Sequence, residues 1–481
     1  MQQKRTLAGI GLLAFISVYA QFSKPGNSGE TVKPGLPPAP DAVLTVWITR
    51  ADSSVLLKKS NTINFSSGRT GGMVITVDSA RAFQEIDGFG YTLTGGSAML
   101  INRMDDAKKE TLLKELFGSG ENSIGISYLR VSVGASDLDS AVFSYNDLLP
   151  GQTDIAQEKF SIAPDKINLI PVLKQILTIN PAIKILASPW SPPAWMNDNG
   201  ATKGGSLKPE YYASYANYLV KYIQAMKAEG IAIDALTPQN EPLHPGNNPS
   251  LLMLAEQQRD FIKDQLGPAF KAAGIQTKIV VYDHNLDRPD YPITILNDPE
   301  AKKYIDGSAF HLYAGNVSAL NQVHTAHPDR NLYFTEQWTG STGSFNGDLK
   351  WHIKNVIIGT IKNWSRIALE WNLASDPGYN PHTPGGCTQC KGALTLDGNG
   401  VNRNVAYYII AHASKFVPAG SRRIYSSDAA GLSNVAFLTP AGKKVMIVLN
   451  EQNGEQVFRI SYSGKNAVCM LPANTVATLV W

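Results

Sequence analysis

Thr237-Pro238-Gln239-Asn240-Glu241-Pro242 follows a short apolar run, Ile231 to Leu236, and ends in a proline. A run that short, bounded by a turn, suits a buried parallel strand. Asn240 and Glu241 then stand at the strand's C-terminal end. Asn331-Leu332-Tyr333-Phe334-Thr335-Glu336-Gln337-Trp338 repeats the arrangement: an apolar strand, a carboxylate at its tip, then an aromatic residue. Carboxylates at strand tips fit a (β/α)8 barrel, where the working face is built from the C-terminal ends of eight parallel strands.

Outward from these two stretches, strand-like and helix-like runs alternate from Glu85 onward, the signature of an α/β chain with a parallel sheet. The strand candidates are Ile86 to Tyr91, Tyr128 to Val133, Ile183 to Ser188, Ala235 to Gln239, Lys278 to Tyr282, Gly307 to Leu312, Asn331 to Thr335 and Ile367 to Asn372. The clearest intervening helix is Pro209 to Lys227. There Tyr212, Tyr215, Leu219, Ile223 and Met226 recur at three- and four-residue steps, and Gly230 is placed to end it. Val405 to Phe416 supplies the last helix. After Pro418 the alternation stops, and short β runs follow at Arg423 to Tyr425, Val435 to Leu438, Lys444 to Leu449, Gln456 to Ile460 and Thr475 to Trp481. Val43 to Thr49 and Met73 to Val77 also read as strands, without crossover helices, and they need partners that this module can supply. The expected division is 43–84 for the early strands, 85–417 for the barrel and 418–481 for the rest of the β-module.

The N-terminus reads differently. Lys4 and Arg5 precede an apolar stretch from Leu7 to Tyr19, then Ala20 and Gln21. A basic start, a short apolar core and small residues predict a secretory signal peptide over residues 1–20. The run is too short for a comfortable membrane span, so a retained anchor is the lesser alternative. Residues 21–42, rich in Pro, Gly and Ser, predict an extended linker. The protein is thus expected to be secreted or periplasmic, and to act as a monomer. With 43% hydrophobic residues among 481 it can bury a large core, and its net charge of +3 comes without any long Lys/Arg run. Nucleic acid and acidic membrane surfaces are therefore poor partners.

Two glutamates at two strand tips supply what glycoside hydrolysis requires: a proton donor for the leaving oxygen, and a nucleophile or base on the other face of the ring. Glu241 is the candidate acid/base and Glu336 the candidate nucleophile, with their carboxyl groups expected roughly 5 to 5.5 Å apart. Two carboxylates in one pocket push their pKa values apart, leaving one protonated. Either glutamate alone reads as a solvated loop residue; it is the pairing that favours chemistry. Asn240 is placed to hold a sugar 2-hydroxyl. Arg130 lies inside an apolar strand and cannot be buried unpaired, so it is expected to hold the nucleophile carboxylate, or else a structural ion pair. Trp190, in a Pro-rich loop, offers a flat face for a sugar or is a core plug. His311, Tyr313 and Trp371 stand near other strand ends, where a lone histidine is otherwise a satisfied core residue. Cys387 and Cys390 are spaced for a short-loop disulfide if the chain is exported. Two buried thiols, or a zinc site recruiting His382, are the alternatives, although structural zinc takes four ligands. Cys469 is left over for the β-module. No Gly-rich phosphate loop appears in the right setting, and no cofactor or metal is implied.

Taken together, Asp87-Gly88-Phe89-Gly90, Leu129-Arg130-Val131, Ala187-Ser188-Pro189-Trp190-Ser191-Pro192-Pro193-Ala194-Trp195-Met196, Pro238-Gln239-Asn240-Glu241-Pro242, His311-Leu312-Tyr313, Thr335-Glu336 and Trp371-Asn372-Leu373 resemble glycoside hydrolase family 30. That family includes glucosylceramidases, β-1,6-glucanases and xylanases. The resemblance implies a retaining β-glycosidase on a (β/α)8 TIM barrel, with a side β-sandwich built from both chain ends. It also implies Glu241 as acid/base, Glu336 as nucleophile, and Arg130, Asp137, Trp190, Asn240, Tyr313 and Trp371 around the glucose that is cleaved. The loop His382 to Gly392, with its paired cysteines, looks most like the β-1,6-glucanase group. This loop follows the last barrel strand, so a pocket or short curved cleft is expected, with Trp338 stacking the next sugar. β-1,6-Glucan is the expected substrate. A glucosylceramidase-like or xylan-active enzyme is the alternative within the family, and a non-catalytic carbohydrate-binding protein the alternative outside it.

Overall fold

The computed structural model describes residues 43–68 and 71–481; the expected leader and linker, residues 1–42, lie outside the described residues. Eight parallel strands close into a barrel: β1 (Gly88–Thr92), β2 (Tyr128–Val133), β3 (Lys184–Pro189), β4 (Ala235–Leu236), β5 (Lys278–Leu286), β6 (Ile305–Gly315), β7 (Asn331–Glu336) and β8 (Ser365–Asn372). Each pairs with its sequence neighbours, and β8 returns to β1, with Ile367 opposite Gly88 and Ala368 opposite Phe89. The interior is filled, not hollow. Tyr128, Leu186, Ala235, Val280, Ala309, Tyr333, Ile367 and Leu369, drawn from seven of the strands, pack on one another inside it. A larger core lies between the strands and the surrounding helices. At Gly90 a side chain has no room, since a Cβ there would lie 1.8 Å from the Tyr128 carbonyl oxygen.

Two boundaries differ from the sequence reading. Ile86 was expected in the first barrel strand, but it ends a long strand of the β-module, Met73–Ile86, and pairs with Ser421. Asp87 is the hinge between the two sheets. The β4 ladder covers only Ala235–Leu236, not Ala235 to Gln239, because Pro238 has no N–H to contribute. The chain still runs on between its neighbours: Thr237 N–H bonds the Ala187 carbonyl, Asn240 N–H the Pro189 carbonyl and Glu241 N–H the Asp283 carbonyl. The predicted helix over Pro209 to Lys227 appears as a tight turn at Pro209–Tyr211 continuing into Tyr212–Ala228. The last helix covers Val405–Ser414.

The β-module is one nine-stranded sheet folded on itself around its own core. Leu44, Ile75, Met446, Phe458, Cys469 and Leu479 meet there, from strands far apart in the sheet order. Both chain ends contribute. Val43–Arg50 pairs antiparallel with Thr475–Val480, Thr45 lying opposite Val480. Sequence reading missed two strands, Lys58–Asn64 and Lys465–Leu471, which flank the sheet. Among the described residues no helix is long and apolar enough to cross a membrane.

Candidate active site

Arg130, on β2, is fully buried and aims its guanidinium across the top of the barrel. Nη1 bonds Glu336 Oε2 at 2.5 Å, and Nη2 bonds Asn240 Oδ1 at 2.6 Å and Asp283 Oδ2 at 2.8 Å. Its planar fork therefore fastens the tips of β4, β5 and β7 together. Tyr313 donates its hydroxyl to the other Glu336 oxygen at 2.8 Å. Glu241 adopts a left-handed backbone conformation with φ of 45°, a strained geometry that the surrounding structure must hold in place. His311, on β6, joins the two acidic strands: Nδ1 lies 3.0 Å from Glu241 Oε1 and 3.7 Å from Glu336 Oε1. One carboxylate oxygen each of Glu241 and Glu336 and a ring nitrogen of His311 all lie within 4.8 Å of one another.

Asp283 was absent from the sequence-based candidates, yet it lies beneath the whole cluster. Besides Arg130 it accepts from Ser188 at 2.7 Å, Thr237 at 2.9 Å and Thr335 at 2.6 Å, and His311 Nε2 lies 3.1 Å from its Oδ1. Burial works against its charge, but Arg130, His311 and these hydroxyls outweigh burial and hold the carboxyl far below its usual range. Being ionised, Asp283 fixes the Nε2–H of His311 as a donor, and Nδ1 is left to exchange a proton with Glu241. Burial opposes an imidazolium at His311, yet the Glu336 charge and the bonds to Asp283 and Glu241 push it up to about 9. At Glu241 the His311 contact outweighs burial and lowers the carboxyl. At Glu336 burial, reinforced by the Glu241 charge, wins over His311 and Arg130 and raises it. The two carboxyls and the imidazole therefore titrate as one coupled unit. Asp283 was legible by the signal that found Glu336, a carboxylate closing an apolar run, here Ile279 to Tyr282.

A pocket of about 380 Å³ opens above these groups. Asp137, Trp190, Asn240, Glu241, Tyr313, Glu336, Trp338 and Trp371 all line it, together with Cys387 and Cys390. Arg130 and His311 stay beneath the floor. Trp190 does not offer an open face: it is only 1% exposed, with Trp371 5.4 Å away between ring centres and the Arg130 guanidinium 4.8 Å from its ring. Burial pushes Asp137 up to about 7, the Glu336 charge adding to the effect, and Cys387 N–H donates to its Oδ2 at 3.2 Å. Cys387 and Cys390 are joined in a disulfide, which leaves neither thiols nor a zinc site there; His382 turns its Nδ1 to the Thr383 carbonyl. Cys469 is a buried free thiol in the β-module. The disulfide packs against Leu138, Trp190, Trp338 and Trp371, and Thr339–Gly340 pairs with Cys390–Lys391, so the loops after β7 and β8 brace each other.

Residues 86–417 match the model of the glycosyl hydrolase family 30 TIM-barrel domain, and residues 420–479 that of the family 30 β-sandwich domain. The chain belongs to glycoside hydrolase family 30. Like the other members it is a glycosyl hydrolase. It is 32% identical over 422 residues to the endo-1,6-β-D-glucanase BGN16.3 of Trichoderma harzianum, covering 82% of this chain and 84% of that one. It is 29% identical over 445 residues to the lysosomal acid glucosylceramidase of Mus musculus, covering 86% and 85%. Among solved structures, the endo-β1,6-glucanase BT3312 superposes with a TM-score of 0.85 at 35% identity, covering 92% of this chain and 99% of that one.

Proposed function

We propose that this family 30 hydrolase is a retaining β-1,6-glucanase in which Glu336 is the nucleophile and Glu241 the acid/base. The observation that carries the mechanism is the approach of the two carboxylates, one oxygen of each lying within 4.8 Å of the other. Retaining enzymes hold their carboxyl groups about 5 to 5.5 Å apart, whereas inverting ones leave room for a water at about 6.5 to 9.5 Å. Burial and the Glu241 charge raise the Glu336 carboxyl, and the bonds donated by Arg130 Nη1 and Tyr313 Oη work against that rise and support the anion that attacks the anomeric carbon. The acid's proton is the one on the His311–Glu241 hydrogen bond. Moving it from Nδ1 to Oε1 leaves the net charge unchanged, gives a neutral imidazole and makes Glu241 a carboxylic acid. Glu241 then protonates the glycosidic oxygen as the C–O bond breaks and a glycosyl ester forms on Glu336. In the second step it takes a proton from the water that hydrolyses the ester. Arg130 occupies Asn240 Oδ1, so the amide NH₂ of Asn240 is the end free for the sugar 2-hydroxyl.

The choice of β-1,6-glucan rests on the glucanase relatives and on the small, aromatic-walled pocket braced by the disulfide loop, which suits a chain that turns at every residue. A disulfide also supports an oxidising destination, in keeping with a cleaved leader. Rates on pustulan, laminarin, xylan and glucosylceramide, compared side by side, test the substrate; pustulan is expected to be cut fastest. Glu241→Ala should lose about 10²- to 10⁴-fold on sugar leaving groups and much less on an activated aryl glucoside, which needs no protonation. Equal losses on both would reverse the roles assigned.

A further inference from the structure

The sheet order fixes which parts of the pocket face each other. In a closed barrel of eight strands in sequence order, β1 stands opposite β5. Asp137 follows β2 and Trp371 ends β8, so both flank β1 on the side assigned above to the cleaved glucose. Glu241 follows β4, and the next strand, β5, forms the opposite wall. That wall carries His284 and Asn285, and His244 and Asn247 stand on the loop after β4; all four line the pocket.

β5 is built to turn His284 inward. Val280 packs inside the barrel, and alternation would put Tyr282 there too. Instead Val281 and Tyr282 both pack among the helices, Tyr282 and Asp283 take φ values of 77° and 65°, and the register with β6 shifts between Tyr282 and His284. This bulge sends Asp283 under the site and brings His284 and Asn285 to the pocket wall, the re-aiming that bulges near active sites perform. The His284 ring sits 6.3 Å from that of His311 between centres. Only 7% of the residue is exposed, and its buried Nδ1 has no hydrogen-bond partner. An orphaned buried nitrogen on a pocket wall has no structural use that the surrounding contacts explain. Asn285 is already employed, its Oδ1 accepting from Tyr313 N–H at 2.9 Å.

We infer that His284, with His244 at the rim, binds the departing sugar: the ring that leaves with the protonated oxygen and whose place an acceptor sugar takes when the glycosyl ester is transferred. This rests on the retaining β-1,6-glucanase reading. Burial, against the Glu241 charge, lowers His284 to about 4, so the imidazole is neutral, a donor at one nitrogen and an acceptor at the other. According to its tautomer, a neutral imidazole can offer a sugar hydroxyl either a donor or an acceptor, with no charge added beside Glu241.

The test compares gentiotetraose with 2,4-dinitrophenyl β-glucoside, whose leaving group is not a sugar. In His284→Ala the ratio of kcat/KM for gentiotetraose to that for the aryl glucoside should fall about tenfold, the effect of one lost hydrogen bond at a mostly buried side chain. The share of glycosyl ester captured by added methyl β-glucoside should fall against the share captured by methanol. His284→Gln, which keeps a donor and an acceptor, should restore part of both. A ratio that stays within about twofold in both variants overturns the inference, as does a uniform loss on both substrates. The wild-type rates judge the substrate reading separately. If another oligosaccharide proves the better substrate, the same ratio measured with it decides the role of His284.

Discussion

The two ends of the barrel both bury carboxylates against cations, and they are put together differently. At the N-terminal end Asp87 accepts from Lys184 at 2.6 Å and from Arg366 at 2.7 and 2.9 Å. One acid meets two bases, and although burial works against it, Arg366 and Lys184 hold its carboxyl below the usual range. At the C-terminal end Asp283, Glu336 and Glu241 share Arg130 and a single imidazole. There acids outnumber bases, a proton is left without a fixed owner, and a pocket lies above. Saturated pairing ties strands together. Unsaturated pairing beside a cavity leaves a proton and a carboxylate available for work.

Removing one acid from each end should separate these uses most sharply. Glu336→Gln should lower kcat on the order of 10⁴-fold or more, with the melting temperature nearly unchanged, because an amide still meets Arg130 and an excess charge is gone. Azide should rescue Glu336→Gly and give an α-glycosyl azide, detected by NMR. Asp87→Ala should do the reverse. It leaves Lys184 without its carboxylate and Arg366 with only the 3.5 Å contact to Glu85, and should cost about 3 kcal/mol in denaturant unfolding, at the low end for a broken buried pair because Lys184 keeps some solvent. Its kcat should stay within about twofold of wild type. A large fall in kcat with stability intact for Asp87→Ala would break the comparison.

A smaller effect separates the ends by pH. His311 is raised by folding from its ordinary 6.5 to about 9. The folded protein therefore holds this proton more tightly than the unfolded chain. The stabilisation is complete below about pH 6.5 and is lost as pH rises toward about 9. Asp87 is lowered by folding, so its contribution is present above the ordinary carboxylate range and is lost in acid. Urea unfolding across pH should show both limbs, with His311→Gln flattening the alkaline one and Asp87→Ala the acid one. The alkaline limb of kcat/KM should follow the same His311–Glu241 proton.

The smallest effect belongs to the disulfide. Its loop is short, so replacing both cysteines by serine should cost no more than about 2 kcal/mol of stability. Freed from the restrained Cys387 N–H, Asp137 should position the sugar less well, and KM for gentio-oligosaccharides should rise a few-fold with kcat changed less.

The barrel could be read because its strands are buried on both faces and stand out as apolar runs between amphipathic helices. Glu241 and Glu336 could be read because each ends such a run. Lys58–Asn64 escaped because nearly every residue in it is exposed, so no alternation marks it. Lys465–Leu471 escaped because Val468 and Met470 point outward beside inward Ala467, Cys469 and Leu471, which blurs its period. Asp283 carried the same signal as Glu336 and was passed over; His284 escaped for a different reason. A bulge shifts the inward face by one residue, and no side-chain pattern in the sequence announces a backbone φ. For Trp190 the sequence left two readings open, a sugar platform and a core plug, because a tryptophan at a strand tip looks alike in sequence whether its face is open or covered; it lines the pocket with its face mostly covered.

The pairing of Val43–Arg50 with Thr475–Val480 also decides how the protein bears load. Thr45 lies opposite Val480, so the two strands present their outer ends at the same edge of the sheet. A pull applied between residues 43 and 481 would meet their ladder end-on and open it one bond at a time, as a zip opens. It would not have to slide every bond at once. A pull in this direction thus loads the seam first, and yielding would begin in the β-module before any barrel strand is drawn on.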